Sequence, residues 1–342
     1  MNNKQLMKQL LSAGSIEAST LSDSVIFNEK DDITTDIPII NIAFSGKIDG
    51  GLTTGLTVLA GESKSFKTLL SLHCMKAYFD KYEDSIALFY DSEFGSTPEY
   101  LNQFGLDTSR IAHIPINTVE QLKFDIRKRL ETIQRGQRVF IMIDSLGNLA
   151  SSKEDEDALN AKSVADMSRA KAIKSLFRII TPHLTIKDIP CIVVNHIYKE
   201  MGMYPKNIVS GGTGVMYSAN QVFIITRAQE KDGDKELIGY NFTLNVEKSR
   251  YVKEKSKMTF TILHGKGIQK YSGLWDLAVE SNIIKEVSKG WYTLNGTDKR
   301  RSSDIENDLA FWDDLVKNKK FNKFVEDKFI LKSELEFENA TE

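Results

Sequence analysis

The sequence predicts an α/β fold, a mostly parallel sheet flanked by helices with an antiparallel extension at one edge. Three observations predict it. From about residue 39, strand-like apolar runs alternate with helical patterns, which implies a parallel sheet covered on both faces. One junction, Gly61-Glu62-Ser63-Lys64-Ser65-Phe66-Lys67-Thr68, has the form of a phosphate-binding loop between a strand and a helix. The last strand candidates, 222–226, 242–246 and 258–263, follow one another without helices, which suggests antiparallel pairing at an edge.

Taken in order, residues 1–30 carry a short helical pattern (Leu6, Met7, Leu10, Leu11) and then Val25-Ile26-Phe27, and they read as an arm. Strand candidates follow at 56–60, 86–90, 139–143 and 191–194, ahead of the three late ones. Thr118-x-x-Gln121 is a capping-box signature, and Leu122, Ile126, Leu130 and Ile133 form one apolar face that ends at Gly136. A longer helix is expected over 161–184. After Gly273 the character changes: Trp275, Trp291 and Trp312 all lie here, with Lys299-Arg300-Arg301. The expected organisation is therefore an arm (1–30), an ATPase-type core (31–272) and a small α/β C-terminal domain (273–342).

Composition narrows the function classes. At 342 residues, 41% hydrophobic and 27% charged, the chain has ample material for a core. No run approaches the ~18 apolar residues of a membrane helix, and the first residues do not read as a signal peptide. Cys74 and Cys191 sit apart in apolar segments and read as buried thiols, in keeping with a reducing cytoplasm. A net charge of −2 gives no global attraction to nucleic acid, yet residues 196–270 hold 12 Lys/Arg against 7 Asp/Glu.

In a phosphate loop, backbone N–H groups and the helix N-terminus wrap the phosphates. Lys67 then reaches the β- and γ-phosphates and Thr68 holds Mg²⁺. The departure is Phe66, where the pattern has its second glycine. Because the cradle is backbone, a side chain is tolerable there if residue 66 is right-handed helical; how the backbone closes around phosphate without its glycine is left open by the sequence.

Three further strand ends carry chemistry. Glu93, just past the 86–90 strand, lies on the ligand side of an α/β sheet and is a candidate to orient or deprotonate a water; alone it is equally an exposed loop carboxylate. Asp144 ends the 139–143 strand and would complete the metal site with Thr68; alone it is equally an N-cap. Asn195-His196 ends a third strand, and His196 either reads the γ-phosphate or caps the strand. A long segment to about Met216 follows, with Lys199, Lys206 and Ser210-Gly211-Gly212-Thr213-Gly214. Such a loop is uncommon unless functional or disordered. Backbone N–H groups, cations and glycines suit a phosphodiester strand, and a loop without ligand is the other reading.

This set resembles the RecA-type strand-exchange recombinases, and within them the T-even phage branch. Ser63-Lys64-Ser65-Phe66-Lys67, Phe89-Tyr90-Asp91-Ser92-Glu93-Phe94-Gly95, Ile143-Asp144-Ser145-Leu146-Gly147 and Asn245-Val246-Glu247-Lys248-Ser249-Arg250 carry the likeness. It covers about residues 25–290, and Phe66 is similar to what that branch carries. The resemblance implies an ATP- and Mg²⁺-dependent recombinase that polymerises on single-stranded DNA, pairs it with a homologous duplex and exchanges strands. It also implies that Tyr100 stacks on adenine and that His196 senses the γ-phosphate. Lys248 and Arg250 would reach the ATP of the neighbouring protomer, and 151–160 and 197–214 would be the two DNA-facing loops. Further implications are a phage single-strand-binding protein and a recombination mediator as partners, no membrane, and the cytoplasm of an infected bacterium. A filament-loading paralogue with weak ATPase and a hexameric helicase are the alternatives.

Overall fold

Period-two burial sorts the strand residues between two cores, one on each face of a single large sheet. The computed structural model describes residues 2–28, 31–160, 168–200, 207–294 and 296–331. The chain divides into two units, Met1–Asp31 and Asp32–Glu342. The first contains helix α1 (Asn3–Ala13), started by a capping box between Asn2 and Gln5, and the single turn α2 (Val25–Asn28). Leu6, Met7 and Leu10 are exposed on α1, as are Val25 and Phe27 on α2.

The second unit opens with α3 (Pro38–Ser45), which begins on a proline and ends at Gly46, whose φ of 76° suits a residue without Cβ. Then come β1 (Gly55–Gly61), α4 (Lys67–Lys81), β2 (Ile86–Asp91), α5 (Pro98–Gln103), β3 (Ile111–Pro115), α6 (Val119–Thr132) and β4 (Val139–Asp144). They are followed by α7 (Ser152–Leu159), α8 (Ser168–Lys187), β5 (Pro190–Lys199), β6 (Asn207–Val209) and α9 (Thr213–Ser218). Strands β7 (Gln221–Lys231), β8 (Leu237–Ser249), β9 (Lys257–Leu263) and β10 (Gly267–Ile268) complete the sheet. Its order is β10-β9-β8-β7-β1-β5-β4-β2-β3, with β6 hanging on β5.

Strands β7, β1, β5, β4, β2 and β3 are parallel, and β8, β9 and β10 add antiparallel pairs, as the missing helices predict. On β4, Phe140 and Met142 face one core while Val139, Ile141 and Ile143 face the other. The first core takes α3 and α4; the second takes α6 and α8. The C-terminal elements are α10 (Leu274–Glu280), a small sheet of β11 (Lys285–Ser288), β12 (Trp291–Thr293) and β13 (Arg300–Arg301), and α11 (Ser302–Glu306), α12 (Leu309–Leu315) and α13 (Lys319–Phe329). Their Trp312, Phe321, Val325 and Phe329 are continuous with the first core.

Several expectations are corrected. Residues 151–160, expected as a loop, form α7: Ser151 and Glu154 make a complete capping box. Within the expected loop 197–214, residues 197–199 pair antiparallel with 207–209, Ile197 opposite Val209 and Lys199 opposite Asn207, and Gly212 caps α9; residues 201–206 lie outside the described residues. Of the helix expected over 161–184, the part from Ser168 is helical and extends to Lys187; residues 161–167 lie outside the described residues.

Candidate nucleotide site

Strand register alone gathers the predicted residues at one edge. Gly61 at the end of β1 lies opposite His196 on β5, and Asp91 at the end of β2 lies opposite Asp144 on β4. Loop 62–66 closes over this edge and leads into α4, whose N-terminal N–H groups face the same space. The resulting cleft, about 190 Å³, is lined by Ser63 to Leu69 together with Glu93, Val194 and His196.

Phe66 does not meet the condition that the sequence set for it. Its backbone is left-handed (φ 69°, ψ 11°), the conformation glycine would adopt, and not right-handed helical. Lys64 in the same loop also has positive φ, 60°. The Phe66 ring packs on Phe242 of β8 at 5.2 Å and on Phe260 of β9 at 5.4 Å. The antiparallel extension therefore holds the loop in a shape its sequence disfavours. Arg227 of β7 adds a second tether, donating to the Lys64 carbonyl at 3.2 Å.

Lys67 is buried, and its Nζ donates to the carbonyls of Gly61 (3.2 Å) and Glu62 (2.7 Å) and to Ser65 Oγ (3.3 Å). Burial pulls its pKa below the usual lysine value, and the charges of Glu93 and Asp144 oppose that fall. Thr68 Oγ1 donates to Asp144 Oδ2 at 2.8 Å. Burial raises the Asp144 carboxyl to about 7; the Thr68 hydrogen bond and Lys67 pull it down, while Glu93 and Asp91 push it up. Its second oxygen, Oδ1, is buried without a hydrogen-bond partner among the described residues. An orphaned carboxylate oxygen beside a threonine hydroxyl is a donor pair that fits a hard divalent cation at the end of a phosphate loop.

Glu93 Oε1 stands 3.4 Å from His196 Nε2, and both side chains are about one-third exposed. His196 packs over Gly147, where a Cβ would fall 2.3 Å from the ring Cδ2, so any side chain there would have to displace the ring. The His196 carbonyl accepts from Ser210 N at 2.9 Å, and Asn195 Nδ2 donates to the Ser210 carbonyl at 2.7 Å. The cleft is thus tied directly to the far end of the hairpin. Sequence reasoning missed Asp91, Gly147 and Arg227; of these only Asp91 had a local signal, an aspartate two residues before Glu93 in turn context.

Other predicted residues lie elsewhere. Tyr100 on α5 is 37% exposed and lines neither this cleft nor the apolar cavity of about 540 Å³ that shares Phe66 and Leu69 with it. Lys199 approaches Glu62 at 3.9 Å with both side chains exposed, and Lys206 lies outside the described residues. Gly212 is exposed, whereas Gly214 is buried, with room for no Cβ beside Lys174 of α8. Lys248 pairs with Val222 at the start of β7, towards the other end of the strands from Gly61. Its Nζ donates to the Met216 (2.6 Å) and Tyr217 (3.2 Å) carbonyls at the end of α9, and Arg250 beside it is exposed.

Residues 20–269 match the family model for the RecA N-terminal domain, and 271–325 match the C-terminal domain of the bacteriophage T4 recombination and repair protein. The recombination and repair protein of Enterobacteria phage T4 is 48% identical over 322 residues, spanning 90% of this chain and 82% of the relative. Protein RecA of Chlorobaculum tepidum is 31% identical over 73% of this chain and 70% of its own. Protein RecA of Cytophaga hutchinsonii is 26% identical over 86% and 83%. A sheet edge that gathers a phosphate loop, Glu93, Asp144 and His196, and matches of this extent, make one conclusion: the chain belongs to the RecA family of recombination proteins.

Proposed function

We propose that the chain is a DNA-dependent ATPase that forms helical filaments on single-stranded DNA, pairs that strand with a homologous duplex and exchanges strands. The observation that carries this reading is the direct hydrogen bonding between the nucleotide cleft at His196 and the hairpin at Ser210. It connects an ATP-reading residue to the segment best suited to DNA, and linkage makes such coupling reciprocal.

In this reading Lys67 and the 61–68 backbone hold the phosphates, and Thr68 and Asp144 hold Mg²⁺. The ion, when bound, offsets phosphate charge. Glu93 orients the attacking water and accepts its proton. His196 contacts the γ-phosphate and passes its position to Ser210. Lys199, Lys206 and Ser210 to Thr213 line the DNA path, and Tyr100 stacks on adenine. Lys248 and Arg250 reach the nucleotide of the next protomer; their place away from the chain's own cleft supports a role in trans. The arm 1–30 docks on a neighbour, and 273–342 acts as a small C-terminal domain. A phage single-strand-binding protein and a loading mediator are the expected partners, in the cytoplasm of an infected bacterium. No helix among the described residues is long and apolar enough to cross a membrane.

The test is ATP turnover with and without single-stranded DNA, together with formation of joint molecules from homologous substrates. Glu93→Gln should keep ATP binding and lose turnover by about 10²- to 10⁴-fold. Turnover that ignores DNA, or no joint molecules from the protein alone, would reject the reading.

A further inference from the structure

Behind Glu93 lies a second carboxylate that has no part in holding phosphate or metal in the scheme above. Asp91 is 2% exposed. Its Oδ1 accepts from the backbone N–H groups of Glu93 (2.9 Å) and Phe94 (2.8 Å). Those bonds fix a tight turn in which Phe94, although not glycine, has φ 55°. The other oxygen, Oδ2, faces His113 Nε2 of β3 at 3.1 Å. The His113 ring packs against Phe89, 5.7 Å between centroids, so its direction is set from the neighbouring strand.

We propose that His113 is a positioning residue for ATP turnover: it holds the Asp91 carboxylate, which fixes the Glu93 backbone and thereby aims the Glu93 side chain. The inference rests on the hydrolytic reading of Glu93 above. Electrostatics explain why a donor is needed. Asp91 ends β2 directly opposite Asp144, and Glu93 follows two residues later, so three carboxylates crowd one end of the sheet. A buried carboxylate with one oxygen unpaired in such company is unfavourable and would turn or draw in water. With His113 donating to Oδ2, Oδ1 stays aligned on the two amides. A purely stabilising ion pair would change melting without changing turnover at fixed ATP affinity, and that difference separates the two roles.

The His113 side chain is 48% exposed, so replacing it leaves both cores intact. His113→Phe keeps a ring against Phe89 and removes the donor. It should lower kcat for DNA-stimulated ATP turnover on the order of tenfold with KM for ATP changed by less than about twofold. In the nucleotide-free protein the same variant should speed amide hydrogen exchange at Glu93 and Phe94. His113→Gln, whose amide nitrogen reaches about where Nε2 lies, should restore kcat to within about threefold of wild type and restore exchange protection. Should His113→Phe not melt cooperatively, His113→Ala carries the same expectations. Unchanged kcat and exchange in His113→Phe, or a glutamine variant as slow as the phenylalanine one, overturns the proposal. Glu93→Gln, measured alongside, keeps the two ideas apart: wild-type turnover there overturns the hydrolytic reading itself, whereas unchanged turnover in His113→Phe alone overturns only the positioning role.

Discussion

At Phe66 the phosphate loop keeps a glycine's backbone without the glycine. A left-handed L-residue costs roughly 1–2 kcal/mol. Aromatic pairs contribute about 0.5–1.5 kcal/mol each beyond burial, and Phe66 makes two, with Phe242 and Phe260. The two effects are therefore of comparable size, and the ring offsets the strain. Phe66→Ala should lose the packing and keep the strain, whereas Phe66→Gly loses the packing and relieves the strain. The alanine variant should be the less stable of the two by about 1 kcal/mol in denaturant unfolding, despite its extra methyl group. The reverse order would mean that residue 66 relaxes to a right-handed backbone once the ring is gone. The missing glycine was visible in the chain. The partners that compensate for it were not, because they sit on strands whose register no local pattern announces.

At the scale of elements, the β5–β6 pair is what joins the cleft to the segment proposed for DNA. Asn195 is fully buried, accepts from His196 N at 2.9 Å and donates to the Ser210 carbonyl at 2.7 Å. Asn195→Ala leaves both groups without that partner, which costs roughly 1–3 kcal/mol. It should also cut the gain in single-strand affinity that an ATP analogue produces, by about three- to tenfold. Single-strand titrations with and without the analogue read this directly; an undiminished gain would show that the signal bypasses Asn195. Elements with strong local signals were legible, among them α6 with its Thr118–Gln121 box and the apolar strands β1, β4 and β5. The same capping signature stands at Ser151–Glu154, ahead of the acidic run Asp155-Glu156-Asp157, and there it starts α7. Strand β3 escaped because it is short and half-exposed, so its alternation is weak.

Across the whole molecule, the cleft and the Lys248/Arg250 cations proposed to serve a neighbour lie apart. Gly61, Glu93, Asp144 and His196 gather at the C-terminal ends of the parallel strands, whereas Lys248 near the end of β8 lies opposite Val222 at the start of β7, with Arg250 just beyond the strand. A surface that offers a cleft at one place and cations at another suits a heterologous, head-to-tail contact, which propagates as a filament if it does not close. Arg250 is the better probe of this arrangement, because Lys248 also caps α9 within its own chain and its loss would confound folding with assembly. Arg250→Ala should bind ATP with wild-type affinity yet show almost no DNA-stimulated turnover, because each intact cleft faces a deficient neighbour. Glu93→Gln should be equally inactive for the opposite reason. In an equal mixture on single-stranded DNA, an Arg250→Ala protomer next to a Glu93→Gln protomer regains a complete site, so about a quarter of wild-type turnover should return. A site completed within one chain predicts no recovery at any mixing ratio, since neither variant then has anything to lend the other. The mixing curve therefore reports whether the cations at the far end of the strands serve the next molecule or their own.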